Sequence, residues 1–383
     1  MDTLLDVDTL VDIAISSDEL SMVLGNLRGI VERKTTLPIL SNVLIQATSS
    51  DEITITASDM DMIACQTMSA DVKKKGKLTV PAVTFYEVVR TLKSGSIVNI
   101  SLKNTQDGQP IIEISSGKYS IKLPYVSADN FPVISIDDYT SSFEIPAKDV
   151  YRLIDKTKFA ISTEETRFYL NGIYLHVTND NKISAVSTDL HRLAKANSEA
   201  PIGSDNLKTG IIVPQKAVSE LYKLLNSYTG VVYVKASNTK VSFEFGKIKL
   251  VTKLIDGIFP EYQAAIPESS PIKVTIDKKS LEYALTLVSI AAPDKTRSVK
   301  LAFSKGLLAL TTSSETAGNA REELDIDYDY DALEISFNAR YLLDVLKTVD
   351  GEKVVLNLSD SFAAMMVTEE EKTEELYIVM PTR

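Results

Sequence analysis

A long-period internal repeat limits what this chain can fold into. The run Ile53-Thr54-Ile55-Thr56-Ala57-Ser58-Asp59 has a counterpart ending at Asp189, so Asp59 and Asp189 lie 130 residues apart. Val80-Pro81 and Val213-Pro214, each just before a helix, are 133 apart, and Asn338 comes 124 after Pro214 at the corresponding place in the last third. Such a period is well beyond the roughly 20–50 residues of solenoid repeats. The copies are therefore expected to be domains: 11–138, 139–269 and 270–383. Each contains a strand, a helix and several strands, twice over.

Six stretches carry one apolar stripe at helical spacing. They are Leu20, Val23, Leu24, Leu27; Phe85, Val88, Val89, Leu92; Val150, Leu153, Ile154; Val218, Leu221, Leu224, Leu225; Leu281, Ala284, Leu285, Val288; and Leu342, Val345, Leu346, Val349. A single stripe must be buried against sheet, and the intervening runs alternate as strands do, so an α+β fold is expected. Ser16 and Glu19 fit a capping box at the first helix, Gly95 fits a C-terminal stop after the second, and Thr36 to Asn42 reads as a strand.

Charge bears on partners. With 41 basic and 52 acidic residues the net charge is −11, which argues against general coating of nucleic acid and leaves room for a local basic face. Lys148, Arg152 and Lys156 recur at i, i+4, i+8, with Lys158 nearby, and Arg28, Arg90, Lys93, Lys216, Lys223, Lys278, Lys279, Arg340 and Lys347 sit on other helices among Glu87, Glu220 and Asp344. Two readings stand: solvated faces with i, i+4 pairs, or a shared basic surface facing a polyanion. Cys65, alone and in an apolar run, reads as a buried inert thiol, and two histidines are too few for most metal sites. No apolar run nears the about 18 residues of a membrane span and the start lacks a basic leader, so a cytoplasmic chain is expected.

Chemical motifs are sparse. Walker and G-x-G-x-x-G loops are absent, as is a G-x-S-x-G elbow. Asp189 and His191 could serve a hydrolase with a nearby hydroxyl, Ser187 or Thr188, but a sequence-adjacent pair is more often structural. No catalytic residue is assigned. The closing Leu376-Tyr377-Ile378-Val379-Met380-Pro381 reads either as a last core strand with a frayed end or as an adaptable apolar rim beside a groove.

Five short motifs in order carry a resemblance. They are Thr36-Leu37-Pro38-Ile39-Leu40-Ser41-Asn42, Arg167-Phe168-Tyr169-Leu170-Asn171-Gly172, Thr188-Asp189-Leu190-His191-Arg192-Leu193, Lys253-Leu254-Ile255-Asp256-Gly257 with Phe259-Pro260, and Val379-Met380-Pro381. From Val11 to Arg383 the chain resembles the bacterial sliding clamp, the beta subunit of DNA polymerase III. The resemblance implies a DNA clamp fold of three repeated domains, each with two helices on antiparallel sheets, joined head to tail into a dimeric ring. It implies a processivity factor without catalytic activity or cofactor that encircles double-stranded DNA. Its partners would be the replicative polymerase catalytic subunit, the clamp loader, other polymerases, mismatch-repair proteins and ligase. An alternative within the same fold is a specialised paralogue in repair or resistance.

Carried over by position, the resemblance places a partner-peptide groove at Leu170, Thr188, Leu190, His191, Arg192, Leu193, Pro260, Asn338, Tyr341, Val379, Met380, Pro381 and Arg383. DNA contacts fall on Lys34, Arg167, Phe168 and Tyr169, with Arg90, Lys148, Arg152, Lys156 and Arg340 added from the basic helix faces. The dimer seam takes Tyr119 and Ile121 on one side and Ile290 on the other, with Glu322 and Glu323 facing Lys118 or Lys122. Several positions depart from the family pattern. Leu190 stands where Gly is common, Ala264 and Ala265 where larger or basic residues are frequent, Val83 where a basic residue is frequent, and no final Leu comes after Arg383.

Overall fold

The structure is a computed structural model that describes residues 9–32, 35–105, 108–134, 138–370 and 374–382. Six α-helices lie where the spacing predicts them: α1 (Ser17–Leu27), α2 (Ala82–Thr91), α3 (Ala147–Thr157), α4 (Gln215–Leu225), α5 (Lys278–Ser289) and α6 (Ala339–Thr348). Their predicted stripes are buried, except that Val88 and Leu92 are half-buried. Asp277 caps α5 by accepting from the Ser280 N–H at 2.8 Å, and Asn338 caps α6 by accepting from the Arg340 N–H at 3.0 Å.

Two local expectations fail. Ser16 makes no side-chain cap bond; the Ser17 N–H at the start of α1 donates instead to the Ser96 carbonyl at 2.9 Å, a long-range partner that no local pattern reveals. Thr36 to Asn42 is not a strand. Pro38 fixes φ and removes a ladder donor, so Pro38–Ser41 forms a short 3-10 turn and the strand begins at Asn42.

Contacts divide the chain into two compact units: Met1–Ala147 with Ser219–Leu254, and Lys148–Val218 with Ile255–Arg383. The division passes through the middle third because its strands join two different sheets. In the first unit, Ser141–Pro146, Val231–Ala236, Lys240–Phe245 and Ile248–Lys253 continue across Met62–Ser69, Glu52–Ser58, Asn42–Ala47 and Gly76–Pro81 as one eight-stranded antiparallel sheet. The join is the pairing of Ile248–Lys253 with Met62–Ser69. A second sheet there runs Asp71–Lys74, Thr9–Ser16, Ile97–Asn104, Pro110–Ser116, Tyr119–Pro124, with the last strand at its edge.

The second unit repeats the plan. Ile211–Pro214, Gly172–Val177, Lys182–Thr188 and Arg192–Glu199 continue across Glu375–Val379, Met365–Glu369, Lys353–Leu358 and Ile272–Asp277. Its smaller sheet is Gly318–Asp325, Leu307–Ser314, Ser298–Ser304, Leu333–Asn338. Leu281, Leu285 and Val288 of α5 and Leu342, Val345 and Leu346 of α6 share one core with Leu301, Phe303, Leu310, Phe337 and Tyr377. The sequence predicted strand and helix; which third pairs with which is set by sheet edges that only the folded chain brings together.

An ionic cluster lies inside the second unit. Arg152 on α3 reaches the Glu375 carboxylate at 2.7 Å and donates to the Asn197 carbonyl at 2.6 Å. Lys156, only 2% exposed, meets Asp350 at 2.7 Å, the Thr348 carbonyl at 2.5 Å and the other Glu375 oxygen at 4.0 Å. Arg152 and Lys156 were expected to face DNA, and they do not. The same i, i+4 spacing that suggested a basic stripe points both side chains at Glu375, with Lys156 and Glu375 buried, Arg152 half-buried and Asp350 exposed. Buried charges of this kind are tolerated only when paired.

Tyr377 beside them is fully buried, its hydroxyl has no hydrogen-bond partner, and burial pushes the phenol well above its usual range. Glu375→Gln should therefore destabilise the protein by about 3 kcal/mol, because Arg152 and Lys156 lose their shared buried counter-charge. Tyr377→Phe should be neutral or stabilising. Urea-unfolding midpoints of the two variants check both.

Candidate functional site

The Thr188 to Leu193 segment is a tight turn between two strands. Lys182–Thr188 ends, Arg192–Glu199 begins, and Asp189 spans the gap by accepting from the His191 and Arg192 N–H groups, both at 3.0 Å. Thr188 Oγ1 accepts from the Leu190 N–H at 3.0 Å and donates to the Arg192 carbonyl at 2.7 Å. The first unit repeats the turn. Asp59 accepts from Asp61 and Met62 at 3.0 and 2.6 Å, and Ser58 Oγ donates to the Met62 carbonyl at 3.1 Å. The residue between is left-handed in both, with φ +71° at Leu190 and +80° at Met60. This recurrent Ser/Thr-Asp turn was legible in the repeat and was missed.

These bonds remove the hydrolase reading. The Asp189 carboxylate serves backbone N–H groups and Arg192, while the His191 ring stacks on Tyr341 at 6.2 Å and 19°. Ser187 Oγ donates to the Thr157 carbonyl and Thr188 Oγ1 to that of Arg192, so neither hydroxyl is paired with a base.

Arg192 joins three elements. Its Nε donates to Asp189 at 3.1 Å, Nη1 to Asp344 on α6 at 2.6 Å and Nη2 to the Phe159 carbonyl at 2.8 Å. The guanidinium also lies 4.6 Å from the Tyr341 ring centre and 5.3 Å from that of Phe159. The planar fork thus fixes the turn against α6. Past the Glu375–Val379 strand, the Met380 N–H donates to the His191 carbonyl at 2.9 Å and the Thr382 N–H to the Ser336 carbonyl at 2.8 Å. Through residue 382 the tail is held, not frayed.

Beside this turn, one sheet face is partly covered. Cross-strand pairing puts Tyr174, Val186 and Lys195 on one face, and Thr188 with Leu193 beside them. The segment from Ile255 to Ile266 crosses it: Phe259 and Tyr262 pack in one cluster with Leu170, Val186, Leu193, Ile212 and Ile378, edged by Ala265, Ala364, Met366 and Met380. The phenol of Tyr262 meets His176 Nε2 at 3.0 Å, and Tyr174 stacks between His176 and Phe259, 4.8 Å from each. Gly257 is required where this segment passes Tyr169, since a Cβ there would stand 2.8 Å from the Tyr169 Cβ.

Of the residues assigned to the groove, Leu170 and Leu193 are buried in the cluster under the Ile255 to Ile266 segment and Thr188 is buried beside them, whereas Val379 faces the other side of its strand and packs in the core of α5 and α6; its neighbour Ile378 takes the place beside Leu193. Leu190 and His191 are exposed, and Pro260, Asn338, Tyr341, Met380 and Pro381 are half-buried. Arg192 is spent on internal partners and positions the wall. Arg383 lies outside the described residues. Sequence reading missed His176, Tyr262 and Met366, whose roles depend on the covering segment.

Arg167 and Tyr169 are half-buried and Phe168 exposed on a short 3-10 turn, Glu165–Leu170, with Arg167 3.5 Å from Glu164. Lys148 and Arg340 are exposed; Arg90, also exposed, pairs with Glu87 at 2.7 Å. Lys34 lies outside the described residues. Tyr119 and Ile121 occupy the edge strand Tyr119–Pro124 of the first unit. Ile290 caps α5 in the second and is 76% exposed, in line with exposed Tyr283 and Leu287. Cys65 is half-buried, and burial pushes its thiol up.

A repeated α+β scaffold of antiparallel sheets joined across the repeats, with its Asp-x-His pair committed to structure, has the architecture of the clamp class. Family models of the DNA polymerase III beta subunit match 11–135 (N-terminal domain), 144–261 (central domain) and 263–383 (C-terminal domain). The beta sliding clamp of Caulobacter vibrioides (strain NA1000 / CB15N) is 40% identical over 363 residues, 94% of this chain and 96% of that one. That of Pseudomonas aeruginosa is 32% identical over 93% of this chain and 95% of its own. Among solved structures, the sliding clamp of Bartonella birtlesii bound to griselimycin superposes with TM-score 0.93 at 37% identity, covering 97% of this chain and 99% of that one. The Caulobacter crescentus sliding clamp gives 0.90 at 39%, with the same coverage. The chain belongs to the DNA polymerase III beta subunit family, the bacterial beta sliding clamps. It is a non-catalytic processivity factor.

The buried His176 ring carries a pH prediction. Burial, with a smaller contribution from Lys195, pulls its pKa below the ordinary 6.5. The unfolded chain therefore takes up this proton first, and stability falls as pH drops from about 6.5 toward the folded value; above that range the contribution is complete. His176→Gln should flatten the melting-temperature profile between about pH 7.5 and 5.5 relative to the parent.

Proposed function

We propose that the surface bounded by Leu190, His191, Pro260, Tyr341, Met380 and Pro381, floored by Leu170, Leu193 and Ile378, is where this sliding clamp docks short peptide segments of its partners. The observation that carries the reading is the Met380 N–H to His191 carbonyl bond at 2.9 Å, which makes one wall from two distant parts of the chain. The exposed part of that wall is apolar and aromatic with an adaptable thioether, a surface suited to several partners in turn. Polymerase and clamp loader are the first of these. The clamp domains are 11–138, 139–269 and 270–383, and the protein works in the cytoplasm.

Duplex DNA is held by enclosure. Arg90, Lys148, Arg167 and Arg340, together with Lys34, face phosphates sparsely, with Phe168 and Tyr169 alongside Arg167. A few cations among acidic neighbours give attraction without base reading, so the ring slides. Two chains close the ring by pairing the Tyr119–Pro124 edge with the Gly318–Asp325 edge of the partner subunit. Both are edge strands, and pairing satisfies their open backbone groups. Lys118 and Lys122 on one edge complement Glu322 and Glu323 on the other, and Ile290 adds apolar contact.

Three outcomes test this. The dimer should remain on nicked circular DNA in gel filtration and be lost once the circle is linearised; equal retention would overturn enclosure. Ile290→Asp should shift the protein to monomer in sedimentation velocity. Met380→Asp should abolish binding of a labelled clamp-binding peptide while leaving the dimer intact. Leu170 and Leu193 are unsuited to that test, because both are core residues.

A further inference from the structure

We infer that the open polar cleft between Lys195, Lys208 and residues 258–263 is an anion subsite, where the Lys195 ammonium takes the carboxylate of an acidic residue flanking a docked partner segment. The inference rests on the docking surface proposed above and adds a polar station to it. The cleft has a volume of about 650 Å³. Of the residues that bound the docking surface, Pro260 lines this cleft as well, whereas Leu190, His191, Tyr341 and Met380 do not. A segment that leaves the docking surface across Pro260 therefore enters the cleft.

Three local features build it. Strand pairing sets Tyr174, Val186 and Lys195 in one cross-strand row, so the lysine stem rises from the same sheet face as the tyrosine ring. Gly210, at φ +71°, lets the turn Asp205–Thr209 lie close on that ring, where a Cβ would collide with it. The Tyr174 phenol donates to the Thr209 carbonyl at 3.2 Å, which holds Lys208 at the mouth. Opposite, Phe259 stacks on Tyr174 at 5° and Tyr262 is bonded to His176, so the covering segment is fixed in place.

The charges are unbalanced. Lys195 is half-buried, its Nζ 5.7 Å from the centre of the Tyr262 ring, and neither it nor Lys208 has an ion-pair partner among the described residues. Lys156, by contrast, meets Asp350 and Glu375. Burial pulls the Lys195 pKa below the ordinary lysine value; Asp180 opposes that shift and Lys182 adds to it. An ammonium that has lost water without gaining a counter-charge favours a ligand that supplies one. Asp180 and Glu261, both exposed, line the same cleft, and no arginine fork does. They repel a dianion such as phosphate more strongly than a single carboxylate, so the carboxylate is the anion this balance admits.

The test uses the full-length dimer and a fluorescein-labelled synthetic peptide of the clamp-binding type. One series extends its N-terminus and another its C-terminus with Gly-Glu-Gly-Glu, each matched by Gly-Gln-Gly-Gln. With a net charge of −11 the chain as a whole repels an acidic flank, so a preference for glutamate reports a local cation. In one series the glutamate peptide should bind about five-fold tighter than its match at low salt, the scale of an ion pair at a half-buried site. The difference should shrink as salt is added. In Lys195→Met the two peptides should bind within about two-fold of each other, and Lys195→Arg should keep most of the preference. Lys208→Gln should lose part of it. Lys195→Met should melt no lower than the parent, because it removes a half-buried charge that has no partner.

Equal binding of glutamate and glutamine peptides by the parent in both series overturns the subsite and leaves the docking surface standing, as does a preference that Lys195→Met retains. A phosphoserine flank that binds tighter than the glutamate flank, through Lys195, overturns the carboxylate assignment. If Met380→Asp binds the glutamine peptides as the parent does, the docking surface itself falls and the subsite with it.

Discussion

The pairing of Arg192–Glu199 with Glu375–Val379 is the joint on which the second unit depends. Five residue pairs, from Arg192 with Val379 to Ala196 with Glu375, make one sheet from strands of the middle and last repeats. At one end of the joint the chain leaves through Met380, whose N–H donates to the His191 carbonyl. At the other, Glu375 meets Arg152 and Lys156 inside the protein. The proposed docking surface and the Glu375 ion cluster are thus opposite ends of one strand pair. The first unit uses the same device, with Ile248–Lys253 paired to Met62–Ser69.

That economy explains how one repeat serves two purposes. The Ser58 to Met62 and Thr188 to Arg192 turns are built alike, down to the side-chain oxygens that close them. They differ in the partners of their last residues. Asp61 attracts Lys253, whereas His191 and Arg192 engage Tyr341 and Asp344 of α6. Two substitutions on a shared scaffold turn an ion-paired corner into one packed against the aromatic ring of Tyr341.

The fold was legible because its signals are local. Six stripes such as Leu281, Ala284, Leu285, Val288 name their helices without help from the rest of the chain, and the spacing of Asp59 and Asp189 names the repeat. The site was legible only as a set of positions, through the family motifs. Spacing misled for Arg152 and Lys156, because i, i+4 periodicity identifies a face and not what that face meets. Composition misled for Asp189 and His191, because a carboxylate that closes a turn and one that orients an imidazole look the same in one dimension. Tyr262 and His176 were missed because neither has a role until the Ile255 to Ile266 segment lies across the sheet.

By itself the sequence determined the helices, the strand-rich repeats and the net negative charge, all of which arise from short-range periodicity and composition. The tertiary structure decided that Lys156 faces inward, which strands lie at sheet edges, and that Leu190 is exposed on a backbone that favours glycine. Those outcomes depend on contacts between residues far apart in the chain, whose pairing is set by burial and hydrogen-bond satisfaction across the whole sheet and not by any one segment.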